Sequence, residues 1–273
     1  MLSDRDLQTR RETAETMLRD AGREALAACL SRDFTVEAKG HQDFVTAIDR
    51  RTEDRLRAAL ARAFPQDAVL GEEGGGAPGP VTWILDPIDG TANFLRGFPY
   101  WCLSAGLVAD GDPVMGVIYD PCRDELFSAH RGGGATLNGA RMRVAETGGI
   151  DRATFGLGFS FRTPAQQHAA VIGEILQMGG TYRMPGAGAL TLAHLAAGRL
   201  DGFWEASIHP WDVAAGLAIL AEAGGIATPY GRQSGWRAPA PLLALTPAMA
   251  QALAGGLPRD AVWSVPLQQL QSG

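Results

Sequence analysis

Trp83-Ile84-Leu85-Asp86-Pro87-Ile88-Asp89-Gly90-Thr91 joins two unlike pieces, an apolar run with the character of a buried strand and a turn carrying two carboxylates. Asp86 and Asp89 therefore stand at a strand end rather than along a helix. Pro87 stiffens the turn, and Gly90 lets backbone approach a ligand closely. Two carboxylates aimed into one space repel each other unless a cation lies between them. Their hard oxygen atoms select Mg²⁺ or Ca²⁺ over softer metals. Gly90 and Thr91 open a helical turn whose free N–H groups suit a phosphate. A lone D-x-x-D is more often a surface Asp-Pro turn before a capped helix. The longer string D-P-x-D-G-T narrows the choice, because a chance match in one chain is on the order of 10⁻⁴ at average residue usage.

Outward from this stretch, hydrophobic spacing predicts a helix over residues 5–30, with Ala14, Met17, Leu18, Ala21, Ala25 and Cys29 on one face. A second helix is predicted over 50–64, preceded by a capping-box spacing at Thr46 to Asp49 and ended by Pro65. Short strands are predicted at Val69-Leu70 and Val81 to Leu85, then an antiparallel meander over residues 102–129. The second half mixes elements: a strand at Thr154 to Gly158, a helix from Pro164 with Thr163 as N-cap, a helix over Ala187 to Ala197 and a strand over Leu200 to Glu205. A helix from Trp211 to Ala223, a strand over Pro241 to Leu245 and a helix from Pro247 close the chain. Helices, then strands, then a mixture is not βαβ alternation, so a layered α+β fold in two lobes is expected rather than a doubly wound sheet. The boundary is expected near Ala145 to Arg152, giving an N-terminal lobe of residues 1–148 and a C-terminal lobe of 149–273.

Composition bounds the function without choosing it. The chain has 273 residues, 46% hydrophobic and 20% charged, enough for a sizeable core and too apolar for disorder. A net charge of −6 shows no basic stripe of the kind nucleic acid selects. Three cysteines, Cys29, Cys102 and Cys122, include no C-x-x-C pair, which argues against zinc and a disulfide framework. No run of about 18 apolar residues suggests a membrane span, and a cytoplasmic setting is the default. The 35 glycines follow no fixed period and read as turn punctuation.

Four segments, in order, resemble the inositol monophosphatase family of lithium-sensitive, magnesium-dependent phosphatases. Asp43 to Asp49 is similar to D-x-V-T-x-x-D, Gly71-Glu72-Glu73 to G-E-E, Trp83 to Phe94 to W-I-x-D-P-I-D-G-T-x-N-F, and Trp211 to Gly216 to W-D-x-A-A-G. The resemblance runs from about Lys39 to Gly225. It implies an α-β-α-β-α layered sandwich of the sugar-phosphatase type. It implies that Glu72, Asp86, Asp89, Asp212 and the Ile88 carbonyl hold two to three Mg²⁺ ions, and that Asp49 and Thr91, with Glu72, serve the attack of water on phosphorus. Gly90, Thr91, Gly186, Ala187, Gly188, Glu205 and Asp212 would meet substrate, and Lys39 matches a family lysine near the phosphate. Each has a plain structural alternative: a loop acid for Glu72, helix caps for Asp212 and Thr91, a first-turn acid for Asp49, a strand-end charge for Glu205 and a solvated lysine for Lys39. His209 reads as positional. The short Glu73 to Thr82 loop and Ala92 depart from the usual pattern without removing a ligand position.

The expected activity is hydrolysis of a small phosphate monoester by activated water, with myo-inositol 1-phosphate as first substrate and a homodimer as the assembly. Histidinol phosphate, fructose 1,6-bisphosphate and a 3′-phosphoadenosine nucleotide are alternatives on the same chemistry. A regulatory or binding protein on a phosphatase scaffold is the alternative of a different class.

Overall fold

The predicted stripe from Ala14 to Cys29 is the buried face of a long helix, α1 (Asp4–Ser31), in the computed structural model. The structure describes residues 2–32, 34–40, 43–232, 234–256 and 268–270, without the side chains of 38–40 and 43–45. Ser3 caps α1 in a reciprocal box with Asp6. A hairpin of β1 (Val36–Gly40) and β2 (Asp43–Thr46) leads into α2 (Ala47–Ala63), whose cap is the predicted Thr46–Asp49 box.

Next come β3 (Ala68–Gly71), β4 (Val81–Asp89), the single-turn-and-a-half helix α3 (Thr91–Arg96), β5 (Cys102–Ala109), β6 (Asp112–Asp120), β7 (Glu125–His130), β8 (Gly134–Leu137) and β9 (Ala140–Arg141). Their strands form one sheet in simple chain order, antiparallel except for the parallel β3–β4 pair. After a 3₁₀ turn at Ile150–Arg152 follow β10 (Thr154–Leu157), α4 (Ala165–Gln177), β11 (Thr181–Arg183), α5 (Gly188–Ala196), β12 (Gly202–Ile208), α6 (Pro210–Glu222), β13 (Ile226–Ala227), β14 (Ala240–Leu245) and α7 (Pro247–Gly256). These strands form a second, mixed sheet in the order β11-β10-β12-β14-β13.

Side-chain alternation sorts the layers. In β4, Trp83 and Leu85 pack with α1 and α2, whereas Ile84 faces the cluster that contains α5 and α6. In the second sheet, Phe203, Leu242 and Ala244 face α5 and α6, and Trp204, Leu243 and Leu245 face α4 and α7. The result is helices, sheet, helices, sheet, helices: the α-β-α-β-α sandwich. The central layer is apolar on all sides, so α5 and α6 are buried almost throughout, as a helix between two sheets must be.

Four local readings differ. β4 runs past Leu85 to Asp89, because a bulge carries pairing through the proline turn. β12 starts at Gly202 and continues to Ile208. Pro164 occupies the N-cap position of α4 without a side-chain cap, and the Thr163 hydroxyl donates to the Ser160 carbonyl at 2.9 Å instead. The short strands β1, β2, β8, β9, β11 and β13 carry too few alternating apolar positions to stand out in sequence.

Candidate functional site

In a regular strand, residues three apart point to opposite faces. Asp86 pairs with Ser104 and Asp89 with Cys102, so three steps on β4 oppose two on β5. This one-residue bulge restores phase and brings both aspartates to the side of α5 and α6, while Ile88 packs on the α1–α2 side. Pro87 sits within the bulge, where a missing N–H costs no ladder bond. The Ile88 N–H closes the turn on Asp86 Oδ1 at 3.0 Å. Gly90 then turns the chain with φ +93°, and a Cβ there would lie 3.0 Å from the Ala187 Cβ. Both demands select glycine.

Asp89 receives the start of a helix a hundred residues away. The N–H groups of Gly188 and Leu190, in the first turn of α5, donate to its Oδ1 and Oδ2 at 2.9 and 3.1 Å, and the Cys102 thiol lies 3.5 Å from Oδ2. Asn93 donates to the Tyr100 and Pro185 carbonyls at 2.7 and 2.8 Å, tying the segment after Thr91 to the turn at Gly186.

Asp212 is delivered by α6. Its Oδ2 accepts the His209 N–H at 3.1 Å, so it caps the helix as well as facing the other aspartates. His209 stacks on Trp211 with ring centroids 4.4 Å apart. Close approach of α6 explains the small residues after Asp212. Gly106 and Gly116 are cross-strand partners on β5 and β6. A Cβ on Gly106 would lie 2.7 Å from the Ala214 Cβ, and one on Gly116 would lie 2.1 Å from the Ala215 carbonyl oxygen. On the other side of the helix, a Cβ on Gly216 would lie 2.7 Å from the Leu192 Cβ of α5.

Asp86, Asp89 and Asp212 each offer a carboxylate oxygen, and these atoms lie within 4.8 Å of one another. Such a cluster is able to hold a metal ion. Burial pushes all three carboxyls above their ordinary range, Asp89 to about 6. For Asp86 the nearby charges of Glu72, Asp89 and Asp212 add to burial; for Asp212, those of Asp89 and Glu205 do. Backbone N–H groups from α5 partly offset the cost at Asp89. A divalent cation fits this donor set: three oxygen anions, largely desolvated, with net positive charge missing.

Glu72 stands in the turn after β3, half-buried, with its N–H on the Leu85 carbonyl at 3.2 Å. Asp49 is buried in the first turn of α2, where its Oδ2 accepts the Thr46 N–H at 2.9 Å and also the Thr46 hydroxyl. Its Oδ1 faces the Thr91 hydroxyl at 3.3 Å, and that hydroxyl also lies 3.1 Å from the Ile88 carbonyl. Burial raises the Asp49 carboxyl despite the hydrogen bonds from Thr46.

A cleft of about 190 Å³ opens beside the cluster, lined by Asp89, Asp212, Gly186, Ala187, Gly188 and Glu205. Glu205 is 8% exposed and is pushed up to about 8 by burial, with Arg162 opposing the shift. The structure therefore brings together Asp86, Asp89 and Asp212, extends that group to the cleft residues on one side, and links Thr91 with Asp49 on the other. Gly188 spends its N–H on Asp89. Lys39 belongs to β1, and its side chain lies outside the described residues. Sequence reading missed Asn93 and Cys102. Asn93 sits within the quoted D-G-T-x-N-F segment and could have been read from it; Cys102 has no local signal.

The model of the family described as "Inositol monophosphatase family" matches residues 6–260. The Nus factor SuhB of Xylella fastidiosa is 42% identical over 190 residues, covering 68% of this chain and 69% of that protein. The inositol-1-monophosphatase of Rhizobium meliloti is 41% identical over 214 residues, covering 73% and 79%. Among solved structures, the extragenic suppressor protein suhB from Bartonella henselae superposes with a TM-score of 0.82 at 31% identity, covering 90% of this chain and 98% of that one.

Proposed function

The chain belongs to the inositol monophosphatase family, and from that premise we propose that it hydrolyses a small phosphate monoester, myo-inositol 1-phosphate first among them, with Mg²⁺ as its cofactor. The observation that carries this reading is the convergence of Asp86, Asp89 and Asp212, from β4 and α6, within 4.8 Å. These three, with Glu72 and the Ile88 carbonyl, would hold two to three ions. When bound, Mg²⁺ supplies positive charge to the phosphate oxygens and acidifies water near neutral pH.

The chain's own residues supply orientation and proton traffic. The Thr91 hydroxyl donates toward Asp49 Oδ1, which leaves its oxygen free to accept from the attacking water. Desolvation makes the Asp49 carboxylate a stronger base than an exposed one, so a proton relayed through Thr91 has an acceptor. The Gly90 and Thr91 N–H groups face the phosphate in this reading. The cleft beyond Asp89 and Asp212 receives the alcohol part, where Glu205 binds a hydroxyl or amine and the Gly186–Gly188 turn leaves room for a ring. Histidinol phosphate, fructose 1,6-bisphosphate and a 3′-phosphoadenosine nucleotide are the competing substrates.

A panel of these esters, ranked by kcat/KM with Mg²⁺, tests the choice. Inositol 1-phosphate ranking first supports it, and a nucleotide hydrolysed orders of magnitude faster overturns it. We further propose a cytoplasmic homodimer that lithium inhibits, as the family resemblance implies. Among the described residues no helix is long and apolar enough to cross a membrane.

The name Nus factor among the relatives supports a second reading, a binding role carried beside hydrolysis. A cellular role that survives the loss of turnover in Asp89→Asn would favour it.

A further inference from the structure

Glu53 is a carboxylate in the interior, 1% exposed, with no part in the site as described so far. It lies one helical turn after Asp49 on α2, so both acids share a face. Its Oε2 accepts the Glu73 N–H at 2.8 Å, and its Oε1 accepts the Gly74 N–H at 2.9 Å and Arg57 Nε at 2.6 Å. Arg57 also donates to the Gly75 carbonyl at 2.5 Å. The same short loop is closed on itself by Gly71 and Gly75, which exchange N–H···O bonds of 2.9 and 3.1 Å. Glu72 sits inside that closed loop.

The glycines of the loop follow from this carboxylate. A Cβ on Gly71 would lie 2.3 Å from Glu53 Oε1, and one on Gly74 would lie 2.8 Å from it. The spacing G-E-E-G thus leaves room for the buried acid beneath the turn, while Glu72 between the glycines is near enough for its charge to act on Asp86. A carboxylate this deep is costly unless fully bonded, and here two backbone N–H groups and a guanidinium satisfy it.

We propose that Glu53 is a positioning residue that latches the Gly71–Gly75 turn and so fixes Glu72 beside Asp86 before any metal binds. The role in turnover rests on the hydrolase reading above; the latch and its effect on metal affinity do not. Outer residues that orient ligands typically change metal affinity 10- to 100-fold when removed.

The test compares wild type, Glu53→Gln and Arg57→Gln by Mg²⁺ calorimetry and by amide hydrogen exchange of the metal-free proteins. In Glu53→Gln, Mg²⁺ affinity is expected to fall about 10-fold, and the Glu73 and Gly74 amides are expected to lose protection while those of β4 keep it. At saturating Mg²⁺, kcat returns toward wild type and KM stays unchanged. Arg57→Gln leaves both backbone bonds to Glu53 intact, so it shows a smaller loss of the same kind and keeps the question open to measurement if Glu53→Gln fails to fold. Unchanged Mg²⁺ affinity in folded variants, or a kcat loss that saturating Mg²⁺ does not restore, overturns the proposal. Loss of affinity in the variants, with no ester hydrolysed by wild type, supports the latch and overturns the hydrolase reading alone.

Discussion

Asp89 has to satisfy two α5 N–H groups, a thiol and the charges of Asp86 and Asp212, and its titration reports how well it does so. Burial holds it at about 6 in the fold against 3.8 for an ordinary aspartate. Between those values the metal-free native state keeps a proton that the unfolded chain has lost. Its contribution to stability is therefore complete below about pH 4 and is lost as pH rises through about 6. Asp89→Asn carries no such charge, so in EDTA the variant is expected to gain stability over wild type as pH rises from 4 to 7. Urea titrations of both proteins across that range check this, and parallel curves would contradict it. At the other end of the site, Thr91→Val removes the hydroxyl that lies 3.3 Å from Asp49 Oδ1 and that, in the proposed reaction, relays a proton from water to it. A fall in kcat of about 10²- to 10⁴-fold with Mg²⁺ affinity retained is the expected result in steady-state assays. The three clustered aspartates were legible in sequence because each stands in a distinctive string. Glu53 was not, because its i,i+4 pairing with Arg57 looks like any helix-surface ion pair, and its bonds to the Glu73 and Gly74 N–H groups, twenty residues away, show only in the fold.

At the scale of elements, the bulge in β4 and the glycine pair under α6 do the aligning. Without the bulge, Asp86 and Asp89 would face opposite sides of the sheet; without Gly106 and Gly116, α6 could not lie close enough to bring Asp212 to them. Gly116→Ala puts a Cβ 2.1 Å from the Ala215 carbonyl, a contact that only movement of the helix relieves. Overpacking of this kind costs roughly 1–3 kcal/mol, measurable as a lower urea midpoint. Because Asp212 rides on the displaced helix, the Mg²⁺ concentration for half-maximal activity is expected to rise as well; a stability loss with unchanged Mg²⁺ dependence would show that α6 does not set the site. Sequence periodicity found α1 and α2, which are long and carry one apolar stripe, whereas α5 and α6, apolar nearly all round, were marked in sequence by the glycines just past their ends. It ended β4 at Leu85, because proline argues against a strand and a bulge is invisible until the partner strand is known. The alanines and glycine after Asp212 were recognised as a string, and only the fold shows that they are a packing surface.

For the whole molecule, five layers place the acid cluster where β4 of the first sheet meets α5 and α6 of the central helical layer. α6 lies against the first sheet and supplies Asp212, and β12 of the second sheet supplies Glu205. The layered α+β class was readable from the order of elements, whereas the sharing of one helical layer by two sheets depends on long-range packing that local pattern does not encode. A cation that binds only the folded chain stabilises it by about 2.7 kcal/mol at a hundredfold excess over Kd. Thermal unfolding with and without Mg²⁺ is therefore expected to show a clear upward shift in Tm for wild type and none for Asp89→Asn; equal shifts would remove Asp89 from the metal site. The most direct test of the account is phosphate release from myo-inositol 1-phosphate by purified wild type and Asp89→Asn, each with Mg²⁺ and with EDTA. The account predicts release by wild type that requires Mg²⁺ and a loss of about a thousandfold or more in the variant with its circular dichroism unchanged. Near-normal, Mg²⁺-independent release by the variant, or no release from any phosphate ester by folded wild type, would contradict it.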